Sequence, residues 1–304
     1  MRIAVLGSPD SWYLGDLRRA ATADEEIVSV PFDRLTARLA CGFARGTEVI
    51  ASAENELSSC DAVLVRTMAP GSLEQVVFRM DVLARLEAAG VVVVNPPKAV
   101  EAAVDKFLTS AKLQAAGLAT PRTVVCQSSD DAMVAFAELG GDVVVKPLFG
   151  SEGRGITRLQ DEALALRAFR MLEQLGAVLY LQEFIDHPGH DLRLLVIGRK
   201  VLGMKRSSAD DWRTNCSRGA TADPLEVTAE LAELALRAAG AVGASVAGVD
   251  LLPDRDGKLW AIEVNAVPGW KALSKATGAD VARRVLDHVG ELATFRSAGA
   301  GSVR

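Results

Sequence analysis

Apolar residues fall along the chain in short unbroken runs separated by stretches with helical spacing. The run Ile3-Ala4-Val5-Leu6 closes at Gly7, Ala62-Val63-Leu64-Val65 closes at Arg66, and Val91 to Val94 closes at Asn95. Runs this short and uniformly apolar predict strands buried on both faces of a sheet. Between them, Trp12 to Ala23 reads as a helix. So does Ser72 to Ala89, which carries Leu73, Val76, Val77, Met80, Leu83 and Leu86 at helical spacing and stops at Gly90. Strand, helix, strand in this rhythm predicts a parallel sheet with crossover helices. Ligands in such sheets sit beyond the carboxyl ends of the strands, which places Arg66 better than an arbitrary arginine.

Asn95-Pro96-Pro97 marks a boundary, because two prolines remove two backbone donors and favour extended chain. The pattern then predicts a helix over Lys98 to Ala116, a strand over Thr120 to Val125 and a helix over Ser129 to Leu139. A strand ending at Lys146-Pro147 follows, then the loop Leu148 to Ile156, a helix over Asp161 to Leu175 and a strand over Val178 to Glu183. The last region alternates strands (Asp191–Ile197, Lys200–Lys205, Gly248–Leu252, Trp260–Val264) with a helix from Pro224 to Val242 and another from Ala279 to Leu292. These breaks divide the chain into 1–95, 96–182, 183–295 and a Gly-, Ser- and Ala-rich tail, 296–304.

Composition narrows the function. The 304 residues are 49% hydrophobic and 24% charged, enough for a large core and too apolar for disorder. A net charge of −5 argues against a protein that grips nucleic acid through phosphates. No stretch approaches the ~20 apolar residues that span a bilayer. Cys41, Cys60, Cys126 and Cys216 are scattered without any CxxC pair, which predicts reduced thiols in a cytoplasm.

Several groups carry chemistry. Gly150-Ser151-Glu152-Gly153-Arg154-Gly155 puts three glycines in six residues, so backbone N–H groups can approach an anion, or the loop is merely a turn. Lys146 ends a run of three valines four residues earlier; its charge needs an anion there, unless it snorkels to water. Asp250 lies on one strand, Glu263 and Asn265 on the next, joined by the turn Asp254-Arg255-Asp256-Gly257. Alternation puts Glu263 and Asn265 on one face, and the hairpin can bring Asp250 opposite. Unpaired carboxylates on apolar strands call for a hard divalent cation held together with phosphates. Arg193, Lys205, Arg206, Arg213, Asn215 and Arg218 cluster between these motifs. His187 and His190 lack the further ligands a zinc site needs, and no residue sits as a recognisable catalytic nucleophile.

Taken in order, these motifs resemble the RimK-like carboxylate–amine ligases of the ATP-grasp superfamily. The resemblance covers about Asn95 to Ala282 and rests on Asp105-Lys106, Lys146 with its glycine loop, Leu181-Gln182-Glu183-Phe184-Ile185 and Asp191-Leu192-Arg193. It continues through Arg213-Thr214-Asn215-Cys216-Ser217-Arg218-Gly219, Gly248-Val249-Asp250-Leu251-Leu252 and Glu263-Val264-Asn265-Ala266-Val267-Pro268-Gly269. It implies an α/β ATP-grasp fold behind an N-terminal parallel-sheet domain. It also implies ATP bound by Lys106, Lys146, Gly150, Ser151, Glu152, Gly153, Gly155, Gln182, Glu183, Phe184, Ile185, Asp191 and Lys205. Glu183 and Phe184 would offer backbone groups to adenine. One or two magnesium or manganese ions would sit on Asp250, Glu263 and Asn265, Arg213 and Asn215 would line the phosphate and acyl-phosphate region, and Arg218 would grip the acceptor carboxylate or acyl phosphate. The implied reaction makes an acyl phosphate that an amine, L-glutamate, converts to an amide. Implied acceptors are a small-molecule or pterin cofactor carboxylate, a ribosomal protein, or a carrier protein as in LysX-type enzymes; relatives form dimers or tetramers. An ATP-grasp kinase and a nucleotide-sensing protein are the alternatives of other classes.

Overall fold

The computed structural model describes residues 1–39, 48–52, 54–150, 153–209, 211–214 and 219–300. Ser151, Glu152, Asn215 and Arg218 of the expected site lie outside them, as do Cys41 and Cys216. The first region runs β1 (Arg2–Leu6), α1 (Trp12–Ala20), β2 (Glu26–Val30), β3 (Leu35–Leu39), β4 (Glu48–Ser52), β5 (Asn55–Glu56), β6 (Ala62–Val65), α2 (Leu73–Ala88) and β7 (Val92–Val94). Strands β2-β1-β6-β7 form the expected parallel sheet, and β3-β4-β5 form a small antiparallel one beside it. Strands β2 to β5 carry too little apolar alternation to stand out in the sequence.

The middle region follows as α3 (Pro97–Val104), α4 (Lys106–Ala115), β8 (Thr123–Cys126), α5 (Ser129–Glu138), β9 (Val143–Lys146), β10 (Thr157–Leu159), α6 (Glu162–Gln174) and β11 (Leu179–Glu183). Its antiparallel sheet has the order β10-β9-β11-β8. The single helix expected over Lys98 to Ala116 is two. Asp105 is extended (φ −89°, ψ 108°), and its carboxylate accepts the Leu108 N–H as the cap of α4. Lys106 thereby opens a helix instead of riding mid-helix on a solvated face.

The last region comprises β12 (His190–Ile197), β13 (Lys200–Ser207), β14 (Thr221–Leu225), α7 (Ala229–Val242), β15 (Val246–Pro253), β16 (Leu259–Asn265), α8 (Lys271–Thr277) and α9 (Val281–Ala300). Its antiparallel sheet has the order β14-β13-β12-β15-β16. Pro224, expected to open a helix, sits instead in the edge strand β14, where a missing N–H is tolerated. Helix α9 continues past the expected end at Leu292 and through the start of the expected tail; Arg296 donates to the carbonyls of Val91 and Glu87.

Three apolar clusters hold these layers. One joins Ala4, Leu6, Val63 and Val65 of the parallel sheet to Leu192, Leu194, Val249 and Leu251 of the last sheet, through α2, α3 and α7. A second joins Ile3, Val5 and Leu64 to Leu195, Ile197 and Trp270 through α1 and α9. The first 95 residues therefore close no core of their own. The middle sheet does, with α5 and α6, around Phe136, Phe169 and Leu181. Asn95 fastens the shared core. It is buried, its Nδ2 donates to the carbonyls of Val246 (2.7 Å) and Ala266 (2.6 Å), and its Oδ1 accepts the N–H groups of Ser245 and Val246.

Candidate active site

The middle and last sheets face each other across an open cleft of about 880 Å³, its mouth included. That falls within the range of small-molecule sites. Its floor comes from the last sheet. Register places Arg193 opposite Asp250, Asp250 opposite Glu263 and Asp191 opposite Arg206. Arg193 Nη1 meets Asp250 Oδ1 at 2.6 Å. Arg206 grips Asp191 with two bonds, 2.7 and 2.5 Å, and reaches Asp250 Oδ2 at 3.0 Å. All four side chains are buried. Burial opposes ionisation of Asp250, but Arg193 and Arg206 outweigh it and hold its carboxyl below the usual carboxylate range. Gly248 makes room for this network, since a Cβ there would stand 2.3 Å from Arg193 Nη2.

Glu263 differs from its neighbour. Among the described residues its carboxylate takes part in no ion pair. Burial, then the charge of Asp250, pushes its pKa up, against Lys106, Arg193 and Lys146. It lines the cleft as a half-buried carboxylate facing solvent.

Two lysines close the opposite side. Lys146, half-buried at the end of β9, donates to Gln182 Oε1 at 2.6 Å; burial pulls its pKa down to about 8, with Lys106 adding to the effect against Glu263 and Asp250. Gln182 is locked in turn, its Nε2 donating to Thr123 Oγ1 and the Tyr180 hydroxyl. Lys106, at the start of α4, donates to the Gly150 carbonyl at 3.0 Å, and burial pulls its pKa down against Glu263 and Asp105. The glycine loop is shaped by its backbone. Gly153 and Gly155 have φ near +70°, and a Cβ on Gly155 would stand 2.8 Å from Pro147 Cγ. Arg213 anchors the far rim by an ion pair with Asp211 and a bond to the Ile156 carbonyl.

The cleft walls fit a flat apolar ring. Phe184 has the Arg158 guanidinium 3.4 Å above its centroid and Trp212 edge-on at 5.9 Å, while Ile185, Leu252 and Ile262 line the same cavity. Counting Asp191, Asp250 and Glu263 against Lys106, Lys146, Arg193 and Arg206, the polar end holds three negative and four positive groups. This is an anion site beside one free carboxylate, which suits a triphosphate carried with a hard cation.

The comparisons agree with that geometry. Residues 103–289 match the family model of the RimK-like ATP-grasp domain. The chain is 35% identical over 263 residues to the tetrahydromethanopterin:alpha-L-glutamate ligase of Methanosarcina acetivorans, covering 77% of this chain and 81% of that one. It is 33% identical to a probable alpha-L-glutamate ligase of Thioalkalivibrio sulfidiphilus, covering 95% of each. The chain belongs to the RimK-like ATP-grasp family. The fold is shared with solved ATP-grasp structures. The RimK domain protein of Sphaerobacter thermophilus superposes with a TM-score of 0.71 at 24% identity, covering 95% of this chain and 99% of that one. The ATP-grasp ligase PsnB superposes at 0.72 and 24%, covering 96% and 97%.

Within this ATP-grasp frame, Lys106, Lys146, Gly153, Gln182, Glu183, Phe184, Ile185, Asp191, Arg213, Asp250 and Glu263 all line the cleft. Gly150 touches it through Lys106, and Gly155 shapes the loop. Four expectations change or narrow. Lys205 pairs with Leu192, a core residue, so alternation puts it on the opposite face of the sheet; its neighbour Arg206 faces the cleft instead. The Glu183 and Phe184 N–H groups bond the Arg122 and Asp142 carbonyls, and the Glu183 carboxylate holds Arg122. The next N–H, that of Ile185, has no acceptor among the described residues, and Ile185 lines the cleft. Asp250 is not an unpaired carboxylate, since two arginines neutralise it. Asn265 lies outside the lining, with its Oδ1 accepting the Val267 N–H at 2.8 Å; its second lone pair remains for a ligand. Among the described residues no trio of His, Cys, Asp or Glu converges as a metal site, so a cation here would need Asn265 or ligand oxygens to complete its shell. Arg193 and Arg206 stood in the basic cluster, but only cross-strand register singles them out.

Proposed function

We propose that this protein is an ATP-dependent ligase that joins the amine of L-glutamate to a carboxylate of a small-molecule cofactor, of the pterin class named for its Methanosarcina relative. The observation that carries the reading is the unpaired Glu263 carboxylate facing Lys106 and Lys146 across the cleft. Lys146, held by Gln182, and Lys106, at the head of α4, take the phosphates. Phe184 and Ile185 take the base, the latter through its free N–H. Arg193 and Arg206 hold Asp250 and Asp191 rigid, so that no reorganisation is needed as charge moves to the transferring phosphoryl group. Magnesium or manganese, one ion or two, on Glu263, Asp250 and Asn265 would neutralise the phosphates during that transfer. The acceptor carboxylate gains the γ-phosphoryl group as an acyl phosphate, and the glutamate amine displaces phosphate. No protein nucleophile is required, and the cleft supplies positioning and charge. Arg213 and Asn215 would serve the reacting phosphate, and Arg218 the acceptor carboxylate or acyl phosphate. The active form is proposed as a dimer or tetramer. No helix among the described residues is long and apolar enough to cross a membrane.

The test is magnesium-dependent ADP release with glutamate and reduced pterins or a metabolite extract, followed by mass spectrometry. A mass gain of one or more glutamyl residues that needs ATP supports the reading. A phosphorylated product formed without an amine replaces it with a kinase, and glutamylation of a ribosomal or carrier protein alone replaces the acceptor.

A further inference from the structure

Arg66 is a buried cation without a counter-ion. It sits just past the carboxyl end of β6, fixed by its N–H bond to the Leu6 carbonyl at 2.8 Å. Its guanidinium packs against two rings, 4.9 Å from the centroid of Tyr13 and 4.2 Å from that of Trp270. The residue is 7% exposed. Nη2 donates to the Pro268 carbonyl at 2.7 Å, and Nε is buried without an acceptor. Among the described residues no carboxylate pairs with it. Both buried arginines of the last sheet, Arg193 and Arg206, have an acid, and Arg79, the other buried arginine of the first region, donates to the Ala69 and Pro70 carbonyls.

A desolvated full charge costs several kcal/mol, and cation–π contacts of ~2 kcal/mol each offset only part of it. Burial accordingly drags the Arg66 pKa down to about 10. Position adds the second argument. The carboxyl ends of parallel strands are where such sheets take ligands. Pro268 follows Asn265 by three residues, at most about 11 Å of extended chain, so Arg66 stands beside the metal-binding end of β16. Both rings stand on one side of the guanidinium, their centroids 5.0 Å apart and their planes at 73°, and Nη1 keeps no acceptor among the described residues.

We propose that Arg66 binds a carboxylate of a substrate, one that does not itself react, at the junction of the first and last sheets. This rests on the ligase reading, in which both glutamate and a polyacid acceptor bring such a group. The planar guanidinium fork matches a planar carboxylate better than a rounder anion.

Calorimetric titration of the protein, loaded with magnesium and a non-hydrolysable ATP analogue, with glutamate and separately with an N-acyl glutamate as acceptor surrogate, tests it. Wild type is expected to bind at least one, and Arg66→Met to bind it at least tenfold more weakly with unchanged affinity for the nucleotide. The surrogate that loses affinity tells whether donor or acceptor supplies the group. Equal binding by both proteins, or no carboxylate binding by wild type, overturns the proposal. If Arg66→Met melts early, ¹⁵N NMR of the wild-type Arg66 side chain decides: its resonance shifts as the carboxylate is added, or the proposal fails. Amide formation with the same KM values in both proteins overturns the Arg66 role and leaves the ligase intact. Carboxylate binding that depends on Arg66 without ATP-driven amide formation does the reverse.

Discussion

Replacing Gly248 by alanine tests the buried charge network under the cleft. The backbone at Gly248 is not left-handed, so the substitution carries no backbone strain, but the new Cβ would stand 2.3 Å from Arg193 Nη2 and 2.4 Å from its Cζ. The guanidinium must move, and its 2.6 Å bond to Asp250 is lost. Removing one partner from a buried ion pair costs about 3–5 kcal/mol. Asp250 keeps Arg206 at 3.0 Å, which sets the expected cost near the lower limit, and alanine returns ~0.5–1 kcal/mol over glycine in a strand. Urea unfolding should therefore show Gly248→Ala destabilised by about 2 kcal/mol. In an Arg193→Ala background no guanidinium remains to displace, and the same substitution should be neutral or stabilise by ~0.5–1 kcal/mol. Equal destabilisation in both backgrounds refutes the reasoning. The pH dependence carries the same signature. The folded-state pKa of Asp250 is depressed, so its contribution to stability is present above the unfolded carboxylate pKa and is lost as pH falls through the folded one. The gap between wild type and Gly248→Ala should be widest at neutral pH and narrow in acid.

Lys146 titrates near pH 8 in the free protein, and bound phosphates favour its charged form. Affinity for a nucleotide, measured by titration calorimetry, should be flat below pH 8 and then fall by up to about tenfold per pH unit, while Lys146→Met should bind weakly with that fall absent. Asn95→Ala removes four hydrogen bonds, three of them buried, between the first region and the adjoining ends of β15 and β16, and chemical denaturation should show a loss of about 3–5 kcal/mol. Steady-state kinetics should separate the neighbours on β13. Lys205→Ala should change kcat/KM by less than about twofold, and Arg206→Ala, which strips Asp191 and Asp250 of a partner, by about a hundredfold or more.

Much of the fold was legible because its strands are nearly pure runs of valine, alanine, leucine and isoleucine, as in β1, β6, β7 and β9. Sheets covered on both faces leave that mark, and the partly exposed β2 and β3 do not. The break at Asp105 was hidden because residues on either side of it keep helical composition, and only the Asp105 cap resets the phase. The Lys205 reading failed for a related reason. Two adjacent basic residues on a strand point to opposite faces, and composition cannot say which one faces the ligand. The sequence could not show that the Glu183 and Phe184 N–H groups are already taken, because the carbonyls that accept them belong to Arg122 and Asp142, distant in sequence.

The sequence by itself determined which chemical groups exist and which local elements carry them: two lysines, a glycine loop, an acidic hairpin and an arginine at a strand end. These follow from short-range physics, since apolar periodicity, glycine and proline act within a few residues. The tertiary structure decided which charges are neutralised. It gave Asp250 two arginines, left Glu263 with none, and packed two aromatic rings against Arg66 from positions 53 and 204 residues away. Desolvation and pairing depend on neighbours brought in by packing, and those depend on cross-strand register and a shared core that no local pattern records.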